Sequence, residues 1–265
     1  MTMKHMMAMA AAALAAGMTY AAKPVAEYAG EIGAQSGWRF VAGEEAGRIV
    51  YVPFEGSYAS KGGRIESPRF ALDKQPGENA WYRLAFSAKS ETDGYWWVDL
   101  FDGKGAHVND VNSRLYASAE WRDYEVMVPD MPTAETAVIA FISKKGAFVK
   151  DLKMERVTFA EVAAWCDRQY AELPQLDLGK VDARADLLPR TREAVRTGRP
   201  LRILILGDSI ANDTYCGNAA ALIRRAYPGS DLHFTLSIRG STGCWYYHEA
   251  AHFDEYVARH KPDLV

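Results

Sequence analysis

A single serine follows a continuously apolar segment in the last third of the chain. Leu201–Gly207 reads LRILILG, and Asp208 and Ser209 come next, before a run with helical spacing. A strand that is apolar throughout is typical of a parallel sheet covered on both faces. Ligands of such sheets bind beyond the carboxyl ends of the strands. Ser209 is therefore a candidate nucleophile, because free N–H groups at the start of the helix suit a developing oxyanion.

The same two residues also have a structural interpretation, because Asp and Ser are both favoured at helix N-caps. A second loop favours the catalytic interpretation of Ser209. LSIRGSTG ends another apolar strand in Gly240 and Gly243, and parallel pairing would bring Gly240 to the edge where Ser209 lies. Glycine allows a backbone amide to approach a ligand closely. The Gly240 N–H is the predicted second oxyanion donor, with an ordinary glycine turn as the alternative.

These two motifs, ILGDS and the later SIRGST loop, resemble the first two blocks of the SGNH, or GDSL-type, hydrolase superfamily. The RGSTGCWYY stretch and the PDLV ending also resemble the sequences of secreted bacterial members of this superfamily. The resemblance covers Leu201–Val265. It implies an ester hydrolase that acts through an acyl-enzyme, with Ser209 as the nucleophile and Gly240 in the oxyanion hole.

The asparagine and histidine blocks of that family have no counterpart in the chain. The family's histidine lies in an Asp-x-x-His sequence, and none of the histidines of the α/β segment has this context, so none is nominated as the base. We therefore expect the α/β domain to be truncated and this chain alone to be inactive. The histidines considered are His233, His248, His252 and His260.

The amino-terminal segment predicts export. Residues 1–22 contain Lys4, then an apolar run from Met6 to Ala16, and small residues at Ala21 and Ala22. This order is that of a secretory signal peptide, and the run is too short to span a bilayer comfortably. An uncleaved anchor or a disordered tail is the alternative. We expect a secreted or periplasmic protein with no stable membrane insertion after signal removal.

Residues 23–157 predict a β-sandwich or jelly roll. Segments such as WYRLAFSAKS and YWWVDLF alternate apolar and polar residues and are separated by turn residues, whereas TAVIAFIS is apolar on both faces, as in a central strand. Tryptophans in a sandwich are usually core residues. Trp96 and Trp97 are adjacent and must face opposite ways, so this pair indicates one exposed ring. The tryptophans that would suit sugar stacking if exposed are Trp38, Trp81, Trp96, Trp97 and Trp121.

The remaining chain divides at Pro200. Residues 158–200 predict a partly helical connection, in which Thr158 and Glu161 fit a capping box. Residues 201–265 alternate strand, helix, strand, helix and strand, which predicts the first part of a three-layer, flavodoxin-like parallel sheet domain. One helix is predicted to run from Asn212 to Tyr227. The fold class is thus two domains, an all-β sandwich followed by an incomplete α/β domain.

The charge and the cysteine content of the chain argue against some classes of function. The net charge is −3, and acidic residues interrupt the arginines before Pro200, so nucleic acid is not an expected partner. The spacing of the three cysteines matches no zinc site, and we expect no metal and no cofactor. Cys216 and Cys244 could bridge two neighbouring rim loops in an exported protein, or remain free thiols. Cys166 has no partner in either case.

Two functions from different classes follow. The first is a secreted serine esterase, with a preceding jelly roll as in some carbohydrate esterases that it resembles; its substrate would be an ester, such as an acetyl group on a polysaccharide. The second is a non-catalytic carbohydrate-binding or cell-surface module with a degenerate hydrolase domain.

Overall fold

A computed structural model describes residues 24–32, 36–45, 48–53, 63–75, 78–174 and 188–265. The predicted signal peptide and part of the predicted connection, 175–187, lie outside these residues. Within the described ranges, no helix is both long enough and apolar enough to cross a membrane.

The first half of the chain is a β-sandwich of two antiparallel sheets. The smaller sheet has the order β1-β11-β6-β9, and the larger has the order β3-β2-β4-β10-β7-β8, with β5 beside β10. From β5 to β11 the chain crosses repeatedly between the two sheets, as in a jelly roll. The strands are β1 Pro24–Glu31, β2 Arg39–Glu45, β3 Arg48–Pro53, β4 Gly63–Glu66, β5 Phe70–Ala71, β6 Trp81–Ser90, β7 Gly94–Phe101, β8 His107–Leu115, β9 Ser118–Pro129, β10 Thr136–Ser143 and β11 Ala147–Val157.

Alternation explains how these strands build the core. In β6, Tyr82, Leu84 and Phe86 point inward and are almost fully buried, while the residues between them face outward. β10 lies between β4 and β7, which confirms its prediction as a central strand, and most of its residues are buried. The core is closed by Phe141 of β10, which contacts Trp38 and Phe86 ring to ring.

Helix α1, Phe159–Tyr170, follows the sandwich, and the predicted capping box is present at its start. The Thr158 hydroxyl accepts from the Glu161 amide at 3.3 Å, and the Thr158 amide donates to the Glu161 carboxylate at 2.7 Å. Val162 and Cys166 are the buried face of the helix. A second helix, α2, spans Pro189–Thr197 and leads to the next strand.

Strands β12, Leu201–Gly207, and β13, Leu232–Ile238, pair in parallel as predicted, with Gly207 opposite Ile238. Leu264 forms a parallel bridge to Ile203, on the β12 side away from β13. The wider three-layer domain remains a prediction. The connecting helices are α3 Ser209–Cys216, α4 Ala219–Ala226, α5 Cys244–Tyr247 and α6 Ala250–Tyr256, followed by a 3-10 turn at Ala258–His260.

The single helix predicted from Asn212 to Tyr227 is wrong. Two helices meet at Gly217 and Asn218, because Asn218 adopts a left-handed backbone with φ 65°. Asparagine tolerates this region better than most residues. Its side-chain amide donates to the Met127 carbonyl of β9 at 3.3 Å, so the break fits α3 and α4 against the sandwich.

Asn79 joins the sandwich to the edge of β13. Its amide nitrogen donates to the Phe234 carbonyl at 3.2 Å, and its amide oxygen accepts from the Phe234 N–H, also at 3.2 Å. Arg224 of α4 donates to the same oxygen at 3.3 Å and to the Leu232 carbonyl at 2.5 Å. The strand that carries the Gly240 loop is therefore held directly against the first half of the chain.

Candidate functional site

Ser209 begins helix α3 at the carboxyl end of β12, and its side chain is exposed. The capping role belongs to Asp208, whose carboxylate accepts from the Ile210 amide at 3.0 Å. Asp208 is therefore the residue that caps the helix, and the Ser209 hydroxyl is not needed for capping. The Ser209 hydroxyl makes no hydrogen bond to any described residue.

Gly240 lies after β13 at the same edge of the parallel pair. A Cβ on Gly240 would meet nothing within 4 Å, so the space above it is open. Gly207 is different, because a Cβ there would lie 2.7 Å from the Cβ of Ala211. That glycine lets α3 turn back sharply over the end of β12.

The backbone amides of Ser209 and Gly240 have no hydrogen-bond acceptor within the described part of the chain. Both are also at the carboxyl edge, where the N-terminal end of α3 contributes a partial positive charge. Two free donors near one exposed hydroxyl are the arrangement that an oxyanion hole needs. The structure brings the two predicted site residues to one edge, and their catalytic role stays a prediction.

Tyr247 ties the ends of the two strands together at this edge. Its hydroxyl donates to the Gly207 carbonyl at 2.5 Å and accepts from the Arg239 amide at 3.1 Å. The Arg239 amide also donates to the Gly207 carbonyl at 3.1 Å. Because Gly207 lies two residues before Ser209, and Arg239 one residue before Gly240, the phenol fixes both loops. Sequence reasoning missed this residue, although the RGSTGCWYY stretch contains it.

An open cleft of about 760 Å³ adjoins the edge. Ser209 and Gly240 are not among its lining residues, although the lining includes Gly207 and Asp208 directly before the serine. The cleft is therefore beside the predicted site rather than around it. Its lining is Leu206, Gly207, Asp208, Thr242, Gly243, Cys244, Tyr247, His248, Ala250, Phe253 and Asp254.

Two histidines of the α/β segment contact other residues. His252 stacks on Tyr246 with ring centroids 3.7 Å apart, and its Nδ1 lies 2.9 Å from the Tyr246 carbonyl oxygen. His233 is exposed beside Asp231, at 2.8 Å. His248 is exposed and belongs to the wall of the cleft that also contains Asp208.

All three cysteines are free thiols. Cys216 points toward the sandwich, with its sulfur 3.6 Å from the Asp110 carbonyl oxygen and 3.5 Å from the Asn212 amide oxygen. Burial raises the pKa of this thiol to about 12. Of the two alternatives for Cys216 and Cys244, the structure has the free form.

The outer face of the larger sheet carries a second set of polar and aromatic side chains. On β7, Tyr95, Trp97 and Asp99 point outward, and their partners on β8 are Arg114, Asn112 and Asp110. Tyr95 is 44% exposed. We call these six residues the β7/β8 strip. Trp96 is only 3% exposed and faces the core, so the prediction that this tryptophan pair faces opposite ways is confirmed.

Ion pairs organise the polar end of the strip. Arg64 of β4 bonds to Glu66 at 2.7 Å and pairs with Asp99, and its guanidinium carbon lies 6.0 Å from the Trp97 ring centroid. His107 lies 3.7 Å from Asp99. The interaction with the Asp99 carboxylate raises the pKa of the imidazole. Burial raises the pKa of Asp110, whose carboxylate also accepts from Asn112 at 2.6 Å.

The other tryptophans that would suit sugar stacking are less accessible to a ligand. Trp38 and Trp81 are 2% and 4% exposed and belong to the core. Trp121 is half-buried, with two lysine ammonium groups over its ring. The described residues contain no group of three or more His, Cys, Asp or Glu side chains placed to hold a metal ion.

Helix α3 lies against the edge of the β7/β8 strip. The Asn212 amide donates to the Asp110 carbonyl at 3.4 Å, and Asn212 is one helical turn after Ser209. One turn rises about 5.4 Å along the axis. The start of α3 is therefore packed against β8, a contact that sequence reasoning missed because it joins a strand and a helix far apart in the chain.

No protein-family model matches this chain, and no curated protein matches it significantly. Several solved structures are similar in part. The xylan-binding CBM22-1 domain of Paenibacillus barcinonensis Xyn10C is 12% identical, with a TM-score of 0.33, over 52% of this chain and 96% of that domain. The CBM6cm-2 module of Cellvibrio mixtus lichenase 5A, solved with cellotriose, is 10% identical, with a TM-score of 0.30, over 51% and 100%.

Another similar structure is the enzymatically active domain of bacteriophage CBA120 tailspike protein 4, 18% identical with a TM-score of 0.32. The similarity covers 36% of this chain, and the chain spans only 14% of that protein. Likenesses as distant as these assign the chain to no family.

Proposed function

We propose that the β-sandwich binds a carbohydrate on the β7/β8 strip. The observation that carries the proposal is the exposed ring of Tyr95 in line with Trp97 and with amide, guanidinium and carboxylate groups on the same sheet face. An aromatic ring supplies a large apolar surface of fixed geometry, which suits the C–H face of a sugar ring. The polar groups beside it suit sugar hydroxyls, because they include donors and acceptors at fixed positions.

The geometry of a strand supports this use. Tyr95 and Trp97 are two residues apart on one face, so their Cα atoms are separated by roughly 6.8 Å. Asn112 and Arg114 repeat the same spacing on the adjacent strand. A ladder of aromatic and polar pairs favours an extended ligand that lies across the strands. Because β8 is the edge strand, such a ligand extends toward α3.

The test is affinity electrophoresis in gels that contain xylan, mixed-linkage β-glucan or galactomannan. We expect retardation by at least one of them, and Tyr95→Ala should weaken it roughly three- to tenfold. Asn112→Ala is a second strip variant. Tyr227→Ala is the matched control, since Tyr227 is 52% exposed and lies outside the sandwich. Equal retardation of wild type, Tyr95→Ala and Asn112→Ala, or no retardation in any gel, would contradict the proposal.

A second candidate function is ester hydrolysis at Ser209. It is favoured by the exposed hydroxyl that takes no part in capping and by the free amides of Ser209 and Gly240 at the same edge. In this proposal the Ser209 oxygen bonds to the ester carbonyl carbon, its proton passes to a base, and the alcohol leaves. Water then hydrolyses the acyl-enzyme and restores the serine. The proposed substrate is a carbohydrate ester, since the strip adjoins α3.

The base and the third oxyanion donor are the histidine and asparagine that the family resemblance implies. This chain contains no Asp-x-x-His sequence. We measure p-nitrophenyl acetate turnover on the natural gene product that carries residues 1–265. Ser209→Ala should abolish turnover, whereas Ser113→Ala, an exposed serine of β8, should leave it unchanged. Turnover that persists in Ser209→Ala would exclude this function.

A further inference from the structure

The outer face of the smaller sheet holds a group of cations that neither proposed function uses. Lys89 of β6 lies between Phe148 of β11 and Trp121 of β9, with its ammonium nitrogen 4.7 Å and 4.8 Å from the two ring centroids. Lys150 of β11 approaches the same indole at 4.5 Å. We call Lys89, Trp121, Phe148 and Lys150 the lysine–aromatic site.

The rings hold the ammonium groups in place. Attraction between a cation and the face of an aromatic ring restricts a lysine side chain that would otherwise be flexible. Lys89 is restrained from two sides, because Phe148 is its direct cross-strand partner. A cation that is already ordered loses less conformational freedom when it binds an anion. The site is thus better prepared for a negative charge than an ordinary surface lysine.

The acidic groups near these lysines do not fully neutralise their positive charge. Within the part of the chain that the structure describes, Lys89 has no carboxylate within ion-pair distance. Lys150 pairs only loosely with Asp151, at 3.9 Å, and that carboxylate also accepts from the Gly30 amide at 2.9 Å. On the same face, Asp123 accepts from Ser87 at 2.6 Å. The ammonium groups of Lys89 and Lys150 therefore both lie against the Trp121 indole, and nearby carboxylates do not fully neutralise their charge.

A cleft of about 540 Å³ opens beside these cations. Lys89 and Phe148 belong to its wall, and so does a third lysine, Lys145. Lys145 is 65% exposed and lies 4.0 Å from Glu91, which is itself 79% exposed, so this pair is easily exchanged for another anion. The cleft is large enough for a sugar unit together with its acidic substituent.

We propose that the lysine–aromatic site binds the acidic groups of an anionic polysaccharide, such as the carboxylates of uronic acid units. The choice of a saccharide rests on the proposed carbohydrate-binding function, whereas the charge of the ligand rests on Lys89, Lys150 and Lys145. The site lies on the opposite sheet from the β7/β8 strip. A chain with both sites would bind one polysaccharide on two faces or two different ones.

The probe is polygalacturonate, compared with highly methyl-esterified pectin, which has the same backbone without most of the charge. We expect polygalacturonate to bind at least about fivefold more tightly, because each exposed ion pair contributes up to about 1 kcal/mol. Binding should weaken between 20 and 200 mM salt, as expected for ion pairs at the surface. κ-Carrageenan, a galactan that carries sulfate esters and no carboxylates, tests whether a sulfate serves in place of a carboxylate.

The variants are Lys89→Gln and Lys150→Gln, which keep a long polar side chain and remove its charge. Each should lower the affinity for polygalacturonate about threefold, and the double variant should abolish the preference over pectin. Lys89→Arg should restore most of the binding. Lys104→Gln, an exposed lysine in the β7–β8 turn, is the matched control. Unfolding midpoints of all variants distinguish lost binding from lost structure.

The outcomes separate this inference from the proposed function. Equal binding of polygalacturonate and pectin, or a preference that survives in the double variant, overturns the inference and leaves Tyr95-dependent binding of neutral glycans standing. Binding of polyglutamate as tight as that of polygalacturonate also overturns it, since the site would then select charge alone. Lysine-dependent binding of polygalacturonate, together with neutral-glycan gels in which Tyr95→Ala has no effect, supports this site and contradicts the β7/β8 strip.

Discussion

The hydroxyl of Tyr215, on α3, donates a 2.7 Å hydrogen bond to the backbone carbonyl of Asp130, directly after β9. Both residues are buried, with Tyr215 1% exposed and Asp130 fully enclosed. This contact joins the helix that begins at Ser209 to the sandwich. The position of the serine therefore depends on the packing of the first half of the chain.

Removal of this hydroxyl should destabilise the protein. Tyr215→Phe leaves the Asp130 carbonyl buried without its partner, so the free energy of unfolding should fall by about 1–2 kcal/mol, measured by urea denaturation. Tyr82→Phe is the matched control, because the Tyr82 hydroxyl is buried but has no hydrogen-bond partner among the described residues. That variant should be neutral or slightly stabilising. Equal losses in the two variants would contradict the role given to Tyr215.

Asp130 should make stability depend on pH. Burial raises the pKa of its carboxyl to about 7, although the buried ammonium group of Lys74 pairs with it and opposes the shift. The unfolded carboxyl has a pKa near 3.9. Between these values the folded state binds more protons than the unfolded state, so this group's stabilising contribution falls as the pH rises. The loss should approach at most about 1.4 kcal/mol per pH unit.

The measurement is the free energy of unfolding by urea at intervals from pH 4 to pH 8. Asp130→Asn should flatten the profile over this range, because it removes the titrating group while keeping the shape of the side chain. Glu135→Gln, at a neighbouring turn, serves as the comparison. An unchanged slope in Asp130→Asn would show that another group is responsible.

Two glycines at the β12/β13 edge should respond differently to alanine. Gly207→Ala brings a new Cβ to within 2.7 Å of Ala211, which can be relieved only by moving α3, so we expect a loss of about 1–3 kcal/mol. Gly240→Ala meets no atom within 4 Å and should change stability by less than about 0.5 kcal/mol. Thermal and urea unfolding of both variants check this contrast, and a reversed order would refute it.

Tyr247→Phe should loosen the edge that presents Ser209 and Gly240. The change removes the hydroxyl that bonds to the Gly207 carbonyl and the Arg239 amide, and about 1–2 kcal/mol of stability should be lost. Amide hydrogen exchange should increase in residues 239–243 and 207–210. Tyr227→Phe, with an exposed ring, should leave exchange at these positions unchanged. Exchange that is equal in the wild type and Tyr247→Phe would remove the positioning role.

Local patterns predicted much of this structure. Alternation located β6 and β7, a continuous apolar segment located β10, and the apolar LRILILG segment located Ser209 at the end of a parallel strand, because these patterns depend on burial of nearby residues. The Thr158 capping box was also visible. The helix break at Gly217–Asn218 was missed, because apolar spacing continues through it and the cause is a contact to β9.

Neither binding surface could be assembled from the sequence. Arg64, Glu66 and Asp99 come from β4 and β7, which are both neighbours of β10 but are separated along the chain. The lysine–aromatic site likewise combines three strands. Such groups depend on sheet order and register, which are set by packing between distant segments. The adjacent pair Trp96 and Trp97, which must face opposite ways, was the only local signal.

The amide of Asn79 occupies both backbone groups of Phe234 on the open side of β13. An unpaired strand edge is a template on which a second molecule can add a strand. Here the Asn79 side-chain amide makes the two hydrogen bonds that one residue of an added strand would make. The consequence is protection against intermolecular association at that position: Asn79→Ala should favour aggregation at high concentration, even where the fold itself persists.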